Sequence, residues 1–152
     1  MKKIGTVLFV GMNPWHMREI YDTVRFLASA WKGADRLYIE PPRGLKGSLS
    51  DPKQLLREFR WGREVCEGIE IFRPPLGFAP VFLGLRGQAD GFAAAGLDRL
   101  MKKRCGDSWR ERTLVYISSW SYTQTNFIKK LNPRYLVFHI LDDSFAFPLI
   151  RD

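Results

Sequence analysis

Short apolar runs that stop at glycine or proline, alternating with stretches of helical spacing, restrict the fold of this chain more than any other feature. Residues 4–10 (IGTVLFV) form such a run and end at Gly11. A continuous run of β-formers suits a strand buried on both faces, as a parallel sheet requires. Residues 17–31 follow as a predicted helix, with Ile20, Val24, Leu27, Ala28 and Trp31 on one face and Asp22, Arg25 and Ser29 off it. Gly33 supplies its stop. Residues 36–40 (RLYIE) read as a second strand, cut short by Pro41-Pro42. Asp51-Pro52 resembles an N-cap with proline at the first helical position, which opens a short helix over residues 53–61. A third strand lies within residues 65–73, centred on residues 69–72 (IEIF), with a turn at Gly68 and a second Pro-Pro stop at Pro74-Pro75. Residues 76–87 read as an apolar loop, and residues 88–104 as a helix weakened by Gly91 and Gly96. Residues 113–119 (TLVYISS) are a fourth strand, residues 121–131 a helix ending at Asn132-Pro133, and residues 135–141 (YLVFHIL) a fifth strand. This alternation predicts an α/β class: one doubly wound, mostly parallel sheet in a three-layer αβα arrangement.

Length and charge narrow the partners. The 152 residues suit one domain. No apolar run reaches the roughly 18 residues needed to span a bilayer. The basic start, Met1-Lys2-Lys3, leads into the first strand; Asn13 and His16 interrupt the stretch before any cleavage site, so no signal peptide is expected. Cys66 and Cys105 lack metal-type spacing and read as two thiols in a reducing compartment, hence a cytoplasmic chain. The net charge of +8 favours an acidic partner: nucleic acid, anionic lipid or a phosphorylated substrate. The densest basic clusters are Lys102-Lys103-Arg104 with Arg110 and Arg112, and Arg57, Arg60 and Arg63. Each reads equally well as a solvated helix face.

In open parallel sheets, ligands bind outside the carboxyl ends of the strands, near the point where strand order reverses. That rule selects Gly11, Met12, Asn13, Trp15 and His16 after the first strand and Glu40 after the second. It adds Ser118, Ser119 and Trp120 after the fourth strand, and Asp142, Asp143 and Ser144 after the fifth. Gly11 stands alone, so the three-glycine dinucleotide fingerprint is missing; so are a P-loop, a nucleophile elbow and a zinc-type histidine pair. No cofactor and no metal are expected. His16 can act as a base or bind an anion, or it is a surface histidine at a helix start. His139 sits within the fifth strand and reads as a satisfied core histidine. Glu40 can accept hydroxyl hydrogen bonds from a polar ligand, or pair with Arg43. Asp142 and Asp143 are adjacent rather than spaced as a metal-binding pair, and capping of a turn suits them better.

Several segments together carry a resemblance: "RLYIEPP", "GIEIFRPP" and "TLVYISSWSYTQTNFIKKLNPRYLVFHILDDSFAF". They resemble the N-terminal half of GT-B glycosyltransferases, in particular bacterial transferases of teichuronic acid and other cell-surface polysaccharide synthesis. The resemblance covers most of the chain in patches. It implies that residues 1–152 are a Rossmann-like, acceptor-binding domain. It also implies a C-terminal partner domain that holds the nucleotide-sugar donor, so that these residues alone are catalytically silent. The expected acceptor is a glycan or a lipid-linked glycan, met by a chain lying peripherally on the anionic inner membrane face. Metal-independent chemistry is implied, with retention of anomeric configuration favoured. Candidate catalytic residues are then His16 and Asp142, with Gly11, Asn13, Glu40, Ser119, Trp120 and Asp143 binding substrate. No specific nucleic acid is expected. The alternative reading is a stand-alone, non-catalytic α/β binding or interaction module.

Overall fold

Strand β1 (Thr6–Val10) has five buried residues and no charge, as suits a central strand. In the computed structural model, which describes residues 3–11, 13–17, 22–41, 61–74, 86–117 and 126–139, six strands form one sheet. In chain order the elements are β1, α1 (Thr23–Ala30), β2 (Asp35–Ile39), β3 (Gly62–Cys66), β4 (Ile69–Arg73) and α2 (Arg86–Cys105). A 3₁₀ turn (Trp109–Glu111), β5 (Thr113–Ile117), α3 (Phe127–Leu131) and β6 (Tyr135–Phe138) complete them. The sheet order is β3-β4-β2-β1-β5-β6. Every neighbouring pair is parallel except β3–β4.

The strand that the sequence reading missed is β3. Its residues, GREVC, contain two charges and alternate between half-buried and exposed, so no apolar run marks it. It forms because Glu67 and Gly68 both adopt positive φ, 54° and 72°. Two such residues make the tight turn whose twist suits a hairpin. The turn expected at Gly68 precedes β4, which holds the expected strand centre at residues 69–72, and β3 on the other side of the turn becomes the antiparallel edge.

Other boundaries moved for local reasons. Met17 is not helical; α1 begins after Asp22, whose carboxylate accepts the N–H groups of Val24 and Arg25 at 2.9 and 3.1 Å and caps the helix. Strand β6 ends at Phe138, which leaves His139 as the first residue beyond it. Helix α3 ends where Asn132 turns left-handed at φ 50°, just before Pro133. Helix α2 tolerates Gly96 because the Trp61 indole packs on it: a methyl group there would sit 2.8 Å from the indole nitrogen. Trp61 itself is not helical; the rest of the helix expected over residues 53–61 lies outside the described residues, as do residues 18–21, 118–119, 121–125 and 140–141 of the other expected elements and nearly all of the apolar loop.

Alternation along β1 divides the core. Leu8 and Val10 join Ala94, Leu97 and Met101 of α2, Trp109, and Phe127 and Leu131 of α3. Val7 and Phe9 join Val24 and Ala28 of α1, together with Trp15, Tyr38, Ile71 and Tyr116. Each fully buried aliphatic or aromatic side chain contributes about 1.5–3 kcal/mol. Behind β1, the buried Trp109 indole donates to Asp98 at 3.0 Å, and Asp98 also meets Lys102 at 2.9 Å and Arg110 at 2.7 Å. Burial alone would raise the Asp98 carboxyl. Hydrogen bonds from Lys102 and Trp109 and the Arg110 charge outweigh it and hold the group below the ordinary carboxylate range.

Candidate functional site

Strand order reverses at β1. Its residues pair in register with β2 on one side and with β5 on the other. The crevice at such a reversal, outside the carboxyl ends of the strands, is where open parallel sheets hold ligands. The loop after β1 forms one side of that crevice, and it is built tightly.

Gly11 donates its N–H to the Ile39 carbonyl at 2.9 Å. A side chain at Gly11 would land on the phenol of Tyr38. The Tyr38 hydroxyl lies between two acceptors, the Asn13 carbonyl at 2.8 Å and Asp22 Oδ2 at 3.2 Å. Asn13 adds a long hydrogen bond from its amide to the same Asp22 oxygen at 3.4 Å. Burial first, and the Asp22 charge second, push the Tyr38 phenol far above its ordinary pKa, so it remains a protonated donor. The Trp15 N–H donates to Glu40 Oε1 at 2.9 Å, and its indole packs edge-on against Tyr38 at 4.9 Å. Arg25 closes the loop from α1 by donating to the carbonyls of Trp15 at 3.1 Å and Met17 at 2.5 Å.

Glu40 is fully buried. Its second oxygen accepts from Arg73 Nε at 2.8 Å. Its backbone N–H donates to Phe72 at 2.8 Å. The carboxylate is thus a strut that ties the β1 loop to the end of β4. Arg43, its expected alternative partner, lies outside the described residues. The sequence does carry a sign of the observed pair. Glu40 and Arg73 stand at equivalent places, each immediately before a Pro-Pro stop, and the register Ile39↔Phe72 sets them side by side.

His16 sits elsewhere. Its side chain is 58% exposed and its Nε2 lies 2.6 Å from Glu64 on β3. That contact draws it toward the β3 edge, away from the β1–β5 crevice. The histidine beside the crevice is His139, and it is not a core residue: it is half-buried at the end of β6. Its N–H donates to the Ile117 carbonyl at 2.9 Å. Its Nδ1 lies 2.5 Å from the Tyr116 hydroxyl, and the two rings meet edge-on at 5.9 Å. Tyr116 in turn packs on Phe9 of β1 at 5.7 Å. Burial raises the Tyr116 phenol above its ordinary pKa.

The structure thus gathers Gly11, Asn13 and Glu40 of the expected site and adds Asp22, Tyr38, Arg25 and Arg73. The sequence places Asp22 within the predicted helix, off its apolar face, and not as its cap; nothing in the sequence singles out Tyr38. Met12, Ser118, Ser119, Trp120, Asp142, Asp143 and Ser144 lie outside the described residues. Among the described residues, no group of three or more His, Cys, Asp or Glu can hold a metal ion. No described helix is long and apolar enough to cross a membrane.

The opposite, amino end of the strands carries a polar cavity of about 450 Å³, lined by Asp35, Arg36, Arg63, Glu70 and Arg104 among others. Most of its charges are paired with one another, and Arg36 is held by backbone carbonyls. Glu70 takes Arg104 Nε at 2.8 Å on one oxygen and Arg63 against the other. Arg104 also reaches Asp35 at 3.3 Å. Arg36 donates to the Ser29 carbonyl at 3.0 Å, at the end of α1. Much of the basic cluster at the end of α2 is therefore engaged in ion pairs.

The chain matches no family model, no curated protein and no solved structure.

Proposed function

We propose that the chain is a Rossmann-like, three-layer αβα domain that forms the acceptor-side wall of a GT-B glycosyltransferase. The observation that carries this reading is the reversal of strand order at β1, with the β1 loop fixed at the carboxyl end of the sheet. The segments around Glu40, Arg73 and residues 113–147 support the particular family by their resemblance. In this reading, Gly11, Asn13 and Glu40 shape the wall from within. His16, paired with Glu64, stays a catalytic candidate only on the β3 side of the loop, while Ser119, Trp120, Asp142 and Asp143 complete the rim, with Asp142 the further catalytic candidate. The nucleotide-sugar donor is held by a second domain of a longer enzyme. The acceptor is a glycan or lipid-linked glycan, reached from the cytoplasmic face of a membrane whose anionic lipids attract the +8 chain. No resident metal or cofactor takes part.

One observation favours a second reading, a non-catalytic α/β binding module. Glu40, Asp22 and Asn13 are engaged by internal hydrogen bonds, which is how a scaffold uses polar groups. Calorimetry separates the two. The 152-residue chain is titrated with a short-chain prenyl-diphosphate-linked sugar and, separately, with a nucleotide sugar. Saturable binding of the first, with none of the second, is the expected result. Binding of the nucleotide sugar alone overturns the acceptor-side assignment. Binding of neither removes the glycosyltransferase reading and leaves the module.

A further inference from the structure

Tyr116 of β5 and His139, the first residue after β6, are 23 residues apart in the chain and meet at the carboxyl end of the two strands. The Tyr116 hydroxyl has one proton to donate, and His139 Nδ1 is its one acceptor among the described residues. Donation from Tyr116 to Nδ1 leaves the ring proton of neutral His139 on Nε2. When the ring is protonated, Nε2 still carries a proton. In both states Nε2 is therefore a hydrogen-bond donor, and it has no partner among the described residues. The ring is fixed as well as polarised. Its backbone is held by Ile117, its Nδ1 by Tyr116, and Tyr116 by the packing of Phe9 in the central strand.

A fixed donor at the rim of a parallel sheet, in a chain with a surplus of eight positive charges, suits an anionic oxygen. We propose that His139 binds a phosphoryl oxygen of a ligand through Nε2–H and that Tyr116 is its positioning residue. This rests on the carboxyl rim being the ligand-binding edge, as in the reading above. It assigns the ligand contact to His139, beside the crevice, rather than to His16, which is turned toward Glu64.

The test follows the ring nitrogens of His139 by ¹⁵N NMR at neutral pH while inorganic phosphate is added to the 152-residue chain, with acetate as a parallel arm. Phosphate is expected to shift the Nε2 resonance saturably, and acetate is not. His139→Ala should weaken phosphate binding by about ten- to a hundredfold, the worth of one hydrogen bond to a charged group. His139→Gln, which keeps an N–H donor, should recover part of that loss. Tyr116→Phe keeps the ring packed on Phe9 but frees Nδ1. It should turn the neutral ring into a mixture of tautomers and weaken binding about three- to tenfold, less than the full hydrogen bond. The amide spectrum checks that each variant is folded; if His139→Ala is not, Tyr116→Phe and His139→Gln decide. A His139 ring that does not respond to phosphate overturns the proposal. Equal shifts with acetate overturn the phosphoryl assignment. If phosphate moves the amides of Gly11 and Asn13 but not His139, the proposal falls and the rim reading stands. If phosphate moves neither, the proposal falls, and the calorimetric titration decides the rim reading separately.

Discussion

Gly11 has no room for a methyl group because the Tyr38 phenol occupies the place where one would go. This is a packing constraint, and it makes a separable prediction. Gly11→Ala should cost about 1–3 kcal/mol in the wild-type background, the usual penalty for overpacking. In a Tyr38→Ala background the same change should cost close to nothing. A double-mutant cycle in urea measures the difference, and equal costs in both backgrounds would show that Tyr38 is not the reason for glycine. Glu40 makes a second prediction. Glu40→Gln keeps the shape but removes the charge that holds the partly exposed Arg73, and should destabilise by roughly 1–3 kcal/mol. The Trp15 amide, which donates to Glu40, should then exchange with solvent faster. Glu40 was legible as a polar residue at the rim, while its partner shows in the sequence only as the residue at the equivalent place before the second Pro-Pro stop. Arg73 lies 33 residues away, and only the parallel register of β2 and β4 brings it alongside.

The elements show where sequence patterns suffice and where they fail. Strands β1 and β5 announce themselves as uncharged runs because burial leaves little room for polar alternation, while β2 and β4 show through their apolar cores and the Pro-Pro stops that follow them. Strand β3 lies at an edge, where that pressure is absent, and a two-residue turn creates it. Gly68→Ala places a side chain at φ 72° and should cost about 1–2 kcal/mol, read from the urea midpoint at constant slope. An unchanged midpoint would mean that the hairpin relaxes into another turn. The other edge, β6, is apolar but open: Leu136, Val137 and Phe138 are 44%, 38% and 48% exposed. Its residues read as a buried strand through residue 141, but pairing with β5 stops at Ile117 and Phe138. The same pattern places His139 inside the strand as a core residue, whereas it is half-buried just beyond the strand end. Its hydrogen bond to Tyr116 depends on two strand ends meeting, which no local pattern records.

Charge acts on the molecule as a whole. Much of the excess at the amino end is bound into pairs around Asp98, Glu70 and Asp35. The Asp98 carboxyl is held below its ordinary value in the folded chain. It therefore contributes stability that is complete well above the unfolded value of about 3.9 and is lost as pH falls through the lower folded value. Asp98→Asn should lower stability at neutral pH, and its difference from wild type should shrink below about pH 4, measured by urea denaturation across that range. A constant difference would remove Asp98 from the acid response. The remaining question for the molecule is which end of the sheet meets its ligand: the carboxyl rim around Gly11, Asn13 and His139, or the arginine-lined cavity at the amino end. Backbone amide shift mapping answers it directly, with the prenyl-diphosphate-linked sugar added to the labelled chain. Saturable shifts at Gly11, Asn13 and His139, with Asp35, Gly68 and Arg104 unmoved, are the expected result. Shifts confined to Asp35, Gly68 and Arg104 would contradict the assignment of function to the rim.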